Sequence, residues 1–235
     1  SCQECHAAIY QQYLRHPMAQ SIRKLGDQAP LEKYLQSPTF KSAGYQYEIR
    51  SDANDPKLPP SAVAHIERVM SSSGQIVFEQ SIPMHYVVGS GSRGRSFLHQ
   101  SGDRLFQSPI TWYVEKELWD LSPGYIPGNH QRFERVIFDK CLACHAGKVN
   151  RVANMPDHFD RETPFREMGI SCQRCHGDAT KHVETHRQGT FNEEHFIVNP
   201  AKLPTVEKES SSVFFFESLV FPPPPAKQSS TTTLL

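Results

Sequence analysis

The sequence predicts an α+β protein with little regular secondary structure. Short helices surround three cysteine–histidine segments, and a β-rich insert separates the first segment from the other two. Three observations predict this. The 6 cysteines of the 235 residues all fall in pairs spaced C-x-x-C, and each pair is followed at once by histidine. Residues 40–125 alternate apolar and polar side chains between turn signals. Hydrophobic residues are only 37% and prolines number 18, which leaves a thin core for a chain of this length.

Charge and hydropathy exclude other classes. Lys+Arg and Asp+Glu are each 25, so the formal net charge is zero. A general nucleic-acid binder needs a basic face to displace counterions, so no nucleic-acid partner is expected. Apolar runs such as 213–216 are far too short to span a bilayer, so no transmembrane segment is expected.

The three segments are CQECH (Cys2, Cys5, His6), CLACH (Cys141, Cys144, His145) and CQRCH (Cys172, Cys175, His176). C-x-x-C-H is the attachment signature of c-type haem. Two thiols a fixed short distance apart add across the two vinyl groups of one porphyrin. The next residue then offers its imidazole to the iron as proximal ligand. The expected fold class is thus a multihaem cytochrome c carrying three haem c groups, each supplying apolar surface that the composition lacks. A four-cysteine zinc site built from the pairs at 141 and 172 is the first competing reading. It leaves Cys2 and Cys5 over and makes three adjacent histidines a coincidence. A disulfide framework is the second, but a disulfide across C-x-x-C is usually redox-active. Haem is attached outside the cytoplasmic membrane, so a periplasmic or extracellular protein is expected. The opening Ser1–Cys2, without a basic and apolar leader, reads as a processed chain.

The elements follow in order. Residues 7–16 read as a short helix with Ile9, Tyr10, Tyr13 and Leu14 on one face, and Pro17 turns the chain. Residues 31–36 read as a helical turn. Strands are expected from Tyr45 onward, at 75–79, at 85–88 and at 105–115, with Pro83 between the second and third and a glycine-rich turn at Gly89, Gly91 and Gly94. Trp112, Tyr113 and Trp119 suit either haem walls or ordinary core packing. Residues 129–139 are expected to be helical and to lead into CLACH, and 164–168 to form a helical turn before CQRCH. Residues 178–188 read as a helix with Asp178 at its positive end and His182 and His186 on one face. This gives four regions: an N-terminal haem segment (1–39), the β-rich insert (40–125), a two-haem segment (126–203) and an extended tail (204–235). The homopolymer runs of the tail are not of a kind that stays ordered. They are read as departing from the natural sequence after about residue 206, with a docking arm as the alternative.

Several stretches resemble multihaem c-type cytochromes often associated with tetratricopeptide repeats. These are CQECHAAIYQQYLRHPMAQS, the β-rich HYVVGSGSRGRSFLHQSGDRLFQSPITWYVEKELWDLSPGY, CLACHAG, GISCQRCHGDATKHV and FIVNPAKL. The resemblance implies a fourth haem motif after FIVNPAKL, which is missing here. It also implies a histidine where Arg93 stands. A low-spin haem needs a second axial ligand, His or Met. The helical position and the resemblance favour His182 as a distal ligand, reaching a haem other than its own. The resemblance also supports His99 and Met18, with His158 competing with His99 and His16 with Met18.

The functional expectation is an electron carrier that serves redox partner proteins and needs no substrate pocket. Self-assembly into a filament, or a place in a larger membrane complex, is compatible with it. The alternative is a multihaem oxidoreductase with one open-coordination haem acting on a small nitrogen or sulfur compound.

Overall fold

The structure is a computed structural model. It describes residues 2–26, 39–42, 44–51, 55, 57, 58, 60, 62–189 and 196–204. The expected helical turn at 31–36, His195 and the tail beyond 204 lie outside the described residues. The chain divides into two compact units, residues 1–171 and 172–235.

The first unit holds helices α1 (Cys2–Cys5), α2 (Ala7–Leu14) and α3 (Asp139–His145). Its strands are β1 (Ile22–Lys24), β2 (Thr39–Ser42), β3 (Tyr45–Ser51), β4 (Val63–Met70), β5 (Ile76–Met84), β6 (Tyr86–Val88), β7 (Gly94–Ser101), β8 (Arg104–Tyr113), β9 (Leu118–Leu121), β10 (Arg135–Val136), β11 (Lys148–Val149) and β12 (Phe165–Glu167). A four-stranded sheet runs β2-β3-β4-β5. A six-stranded sheet runs β1-β6-β7-β8-β10, with β9 also paired to β8, and β11 pairs β12. The pairings are antiparallel.

The six-stranded sheet is buried on both faces, and side-chain alternation sorts its residues into two cores. Val87, Phe97, Ile110, Trp112 and Trp119 join Tyr47, Ile49 and Val63 of the four-stranded sheet in one cluster. Their neighbours Tyr86 and Leu98 point the other way, with Leu105, into a second cluster. There they meet Ile137, Leu142, Ala146, Phe159 and Phe165. CLACH therefore packs on the sheet face opposite the four-stranded sheet, with Leu142 as its anchor. Both tryptophans belong to the first core, which favours packing over a haem-wall role.

Three local expectations are corrected. Residues 129–139 are not a helix: a 3-10 turn, Arg132–Glu134, runs into β10. Arg135 and Val136 pair with Gln107 and Phe106, and Phe133 is buried, so tertiary pairing overrides local helix propensity. Residues 164–168 are not a helical turn either. Phe165–Glu167 is a strand because it can pair with β11. Pro83 lies inside β5 rather than between strands, where it is tolerated because β5 is an edge. Strand β1 was not expected, and it exists by pairing with β6. Helix α2 forms as expected, but Ile9 and Leu14 stay exposed.

The segments that carry the first two cysteine pairs meet through close backbone contacts. A Cβ on Gly169 would lie 2.1 Å from the Ala19 carbonyl oxygen, and one on Gly147 would lie 2.3 Å from the Gly169 oxygen. The Ile170 amide donates to the Met18 carbonyl at 2.9 Å, and the Tyr13 hydroxyl donates to the Ile170 carbonyl at 2.9 Å. Ser21 Oγ donates to the His145 carbonyl at 2.7 Å. Gly169→Ala is expected to cost about 2 kcal/mol, as overpacking does. Thermal unfolding of the variant checks this, with an unchanged midpoint against it.

Candidate haem sites

The spacing of each motif has a helical reason. In C-x-x-C-H the second cysteine and the histidine lie three and four residues after the first, so all three share one helix face. The local structure keeps that spacing. The His6 amide donates to Cys2 O at 2.8 Å and the Tyr10 amide to His6 O at 2.8 Å, although His6 itself leaves the helical conformation, with φ -119° and ψ 44°, between α1 and α2. In α3, Leu142 is buried while Cys141 and Cys144 are exposed on the other side. In the second unit, α4 (Gln173–His176) carries the last pair, and the His176 amide donates to Cys172 O at 3.0 Å.

None of the six cysteines forms a disulfide; four are exposed and two half-exposed. Unmodified cysteine is among the most buried residue types. Pairs of accessible thiols one helical turn apart, each followed by a histidine, suit a planar apolar group that bonds both sulfurs and presents iron to the imidazole. Among the described residues, no three His, Cys, Asp or Glu side chains form a group that would hold a bare metal ion. A haem needs no such cluster, since the porphyrin supplies four of the iron's ligands.

Helix α3 is pinned at its first turn. The Asp139 amide donates to Asp157 Oδ1 at 2.7 Å, the Asp157 amide donates to Asp139 Oδ2 at 3.4 Å, and Arg151 pairs with Asp139 at 2.9 Å. The third motif is held by the segment that follows it. His176 Nδ1–H donates to the Val198 carbonyl at 2.8 Å, and the Val198 amide donates to the His176 carbonyl at 3.0 Å. That bond places the proton on Nδ1 and leaves Nε2 as a lone pair. A histidine poised to bind metal through Nε2 needs this tautomer, and the carbonyl raises its basicity.

The distal candidates differ in tautomer and place. His16 and Met18 are exposed, and His16 Nδ1 accepts the Met18 amide at 3.2 Å, which puts the neutral ring's proton on Nε2. His99 stacks on Phe106 at 5.1 Å, and its Nε2–H donates to the Phe133 carbonyl at 2.8 Å. Phe133 belongs to the first core, so His99 lies on the sheet face away from α3. His158 Nδ1–H donates to the Pro156 carbonyl at 2.8 Å, and its Nε2 accepts from Arg104 Nε at 3.1 Å. In the second unit, His182 is half-buried on α5 (Thr180–Arg187), and its ring meets that of His186 at 4.4 Å. Asp178 Oδ1 accepts the Thr180 amide at 3.0 Å at the start of this helix.

Residues 128–177 match the family described as cytochrome c554 and c-prime, and this span includes both CLACH and CQRCH. The likeness to that cytochrome family is confined to this segment. A solved structure similar to the chain is that of the outer cell wall cytochrome OcwA. Identity is 16% and the TM-score 0.44, over 84% of this chain and 33% of that one. The chain thus spans a third of that protein's length. None of the curated proteins matches it. No helix among the described residues is long and apolar enough to cross a membrane.

Sequence reasoning missed the partners that hold the candidate histidines and the motif helix in place. Arg104 on His158 and Asp139 on Asp157 join residues distant in sequence and leave no local pattern. Val198 had one signal, since FIVNPAKL stands out as a segment tied to the haem motifs.

Proposed function

We propose that the chain is an electron-transfer c-type cytochrome with three covalently bound haems, exported from the cytoplasm and passing electrons between redox partner proteins. One observation carries this reading: every cysteine belongs to a C-x-x-C pair that forms no disulfide and is followed at once by a histidine. The match over 128–177 supports it for two of the three motifs. Cys2 and Cys5, Cys141 and Cys144, and Cys172 and Cys175 form the thioethers. His6, His145 and His176 are the proximal ligands, with His176 oriented by the Val198 carbonyl. Bound haem supplies a one-electron iron couple, and the chain sets its potential through axial ligand, burial and hydrogen bonds. His182 is a distal ligand to a haem other than its own, and Met18 or His16 serves beside the first motif.

The first motif is exposed at Cys5 and His6. That suits electron delivery to another molecule, and equally a contact in a filament or larger complex. A cavity of about 690 Å³ lined by Lys24, His85, Tyr86, Gln100 and Arg161 is bordered by no C-x-x-C-H residue. That cavity therefore gives the oxidoreductase reading no support. Carbon monoxide tests the choice. The reduced holoprotein of a carrier with every iron doubly ligated shows no spectral change with the gas. A shifted Soret band from one haem would instead point to an open catalytic site.

A further inference from the structure

We propose that His158 is an axial ligand to a haem iron and that Arg104 is the group it gives up on ligation. This rests on the reading of the chain as a c-type cytochrome. Among described histidines whose ring hydrogen bonds define a tautomer, His158 and His176 carry the proton on Nδ1, each against a backbone carbonyl. His16, His85, His99 and His130 carry it on Nε2. His158 thus shares the ring state of a motif histidine although it lies in no motif.

Its backbone is fixed on both sides. The Val152 amide donates to the His158 carbonyl at 3.0 Å, and the Phe159 amide donates to the Asp103 carbonyl at 2.7 Å. Phe159 is fully buried in the second core, which also holds Leu142 of CLACH. The preceding residue, Asp157, is cross-bonded to Asp139 at the start of the CLACH helix. The loop that carries His158 is therefore tied to a haem-bearing helix on the same face of the six-stranded sheet. The ring is only 15% exposed, so little further ordering is needed on ligation.

The Nε2 lone pair now accepts from Arg104 Nε, with Asp103 Oδ1 4.0 Å away. Arg104 is an exposed residue at the start of β8. On ligation the lone pair passes from the guanidinium hydrogen to iron, Nδ1 keeps its hydrogen on Pro156, and no proton is released. The freed guanidinium can pair with a haem propionate, and Asp103 keeps Arg161 at 3.8 Å.

The test uses the oxidised holoprotein, with haem content per chain measured on every sample. His158→Ala is expected to convert one haem from low-spin to high-spin by electron paramagnetic resonance, and free imidazole is expected to restore the low-spin signal. His99→Ala and Arg104→Ala are expected to leave every low-spin signal in place. An unchanged His158→Ala spectrum, or a high-spin signal that imidazole does not restore, overturns the ligand assignment. Loss of a low-spin signal in Arg104→Ala overturns the displacement. A parent protein without thioether haem would instead sink the functional reading, and the haem assay reports that separately.

Discussion

Replacing Cys141 and Cys144 together by alanine is expected to remove one haem and leave the other two attached. Visible absorbance per chain then falls by roughly one third, since each motif binds its own haem. The polypeptide itself loses little by the change, because both thiols are exposed and free, and Leu142 still anchors the helix in the second core. Any loss of stability in the variant therefore measures what the haem contributes to packing. Absorbance of the alkaline pyridine complex per mole of chain checks the count. A variant with undiminished haem would mean that CLACH is not an attachment site.

The second large effect lies away from the motifs. Glu67 is completely buried on β4. Its Oε1 accepts from Arg132 Nε at 2.5 Å and from Gln80 Nε2 at 3.0 Å. The guanidinium also lies 5.1 Å from the Tyr45 ring centroid and 4.8 Å from that of Phe78. Arg132 adopts φ +52°, a left-handed conformation that costs a non-glycine residue of order 1 kcal/mol and is held here by these contacts. Removing one partner of a buried pair leaves the other charge uncompensated. Arg132→Ala is therefore expected to cost about 3 kcal/mol, near the low end for such pairs because the arginine is partly exposed. Thermal melting should drop by roughly 10 °C for a chain of this size. Glu67→Gln, which removes the buried charge itself, should cost less than Arg132→Ala. Equal melting of Arg132→Ala and the parent would show the pair to be energetically idle.

The C-x-x-C-H motifs are legible in the sequence because their spacing is local: two thiols and an imidazole within about one helical turn are written in five residues, as covalent haem attachment would need. The long strands were legible for a similar reason, as in β3, where Tyr45, Tyr47 and Ile49 alternate over adjacent positions. What sequence could not supply depends on distant partners. β10 and β12 are two and three residues long, and they are strands only because Gln107 and Val149 lie opposite. Glu67 and Arg132 are 65 positions apart. His65 had no signal at all. It is fully buried, its Nδ1 lies 2.8 Å from Ser108 Oγ, and burial holds its imidazole down to about 3, so it is a neutral core residue at ordinary pH. The fold, by burying it, removes it from the ligands that residue type alone would allow. The tautomers that favour His158 over His99 are set by the carbonyls of Pro156 and Phe133, and by no property of the histidines themselves.

The central claim is that the three C-x-x-C-H segments each hold a covalent haem. Intact-mass spectrometry of the native protein under denaturing conditions tests it most directly. The account predicts a chain heavier than its polypeptide by three haems, with no free thiol left to alkylate and no haem released by acid–acetone. A mass equal to the bare polypeptide, with six alkylatable cysteines, would contradict it.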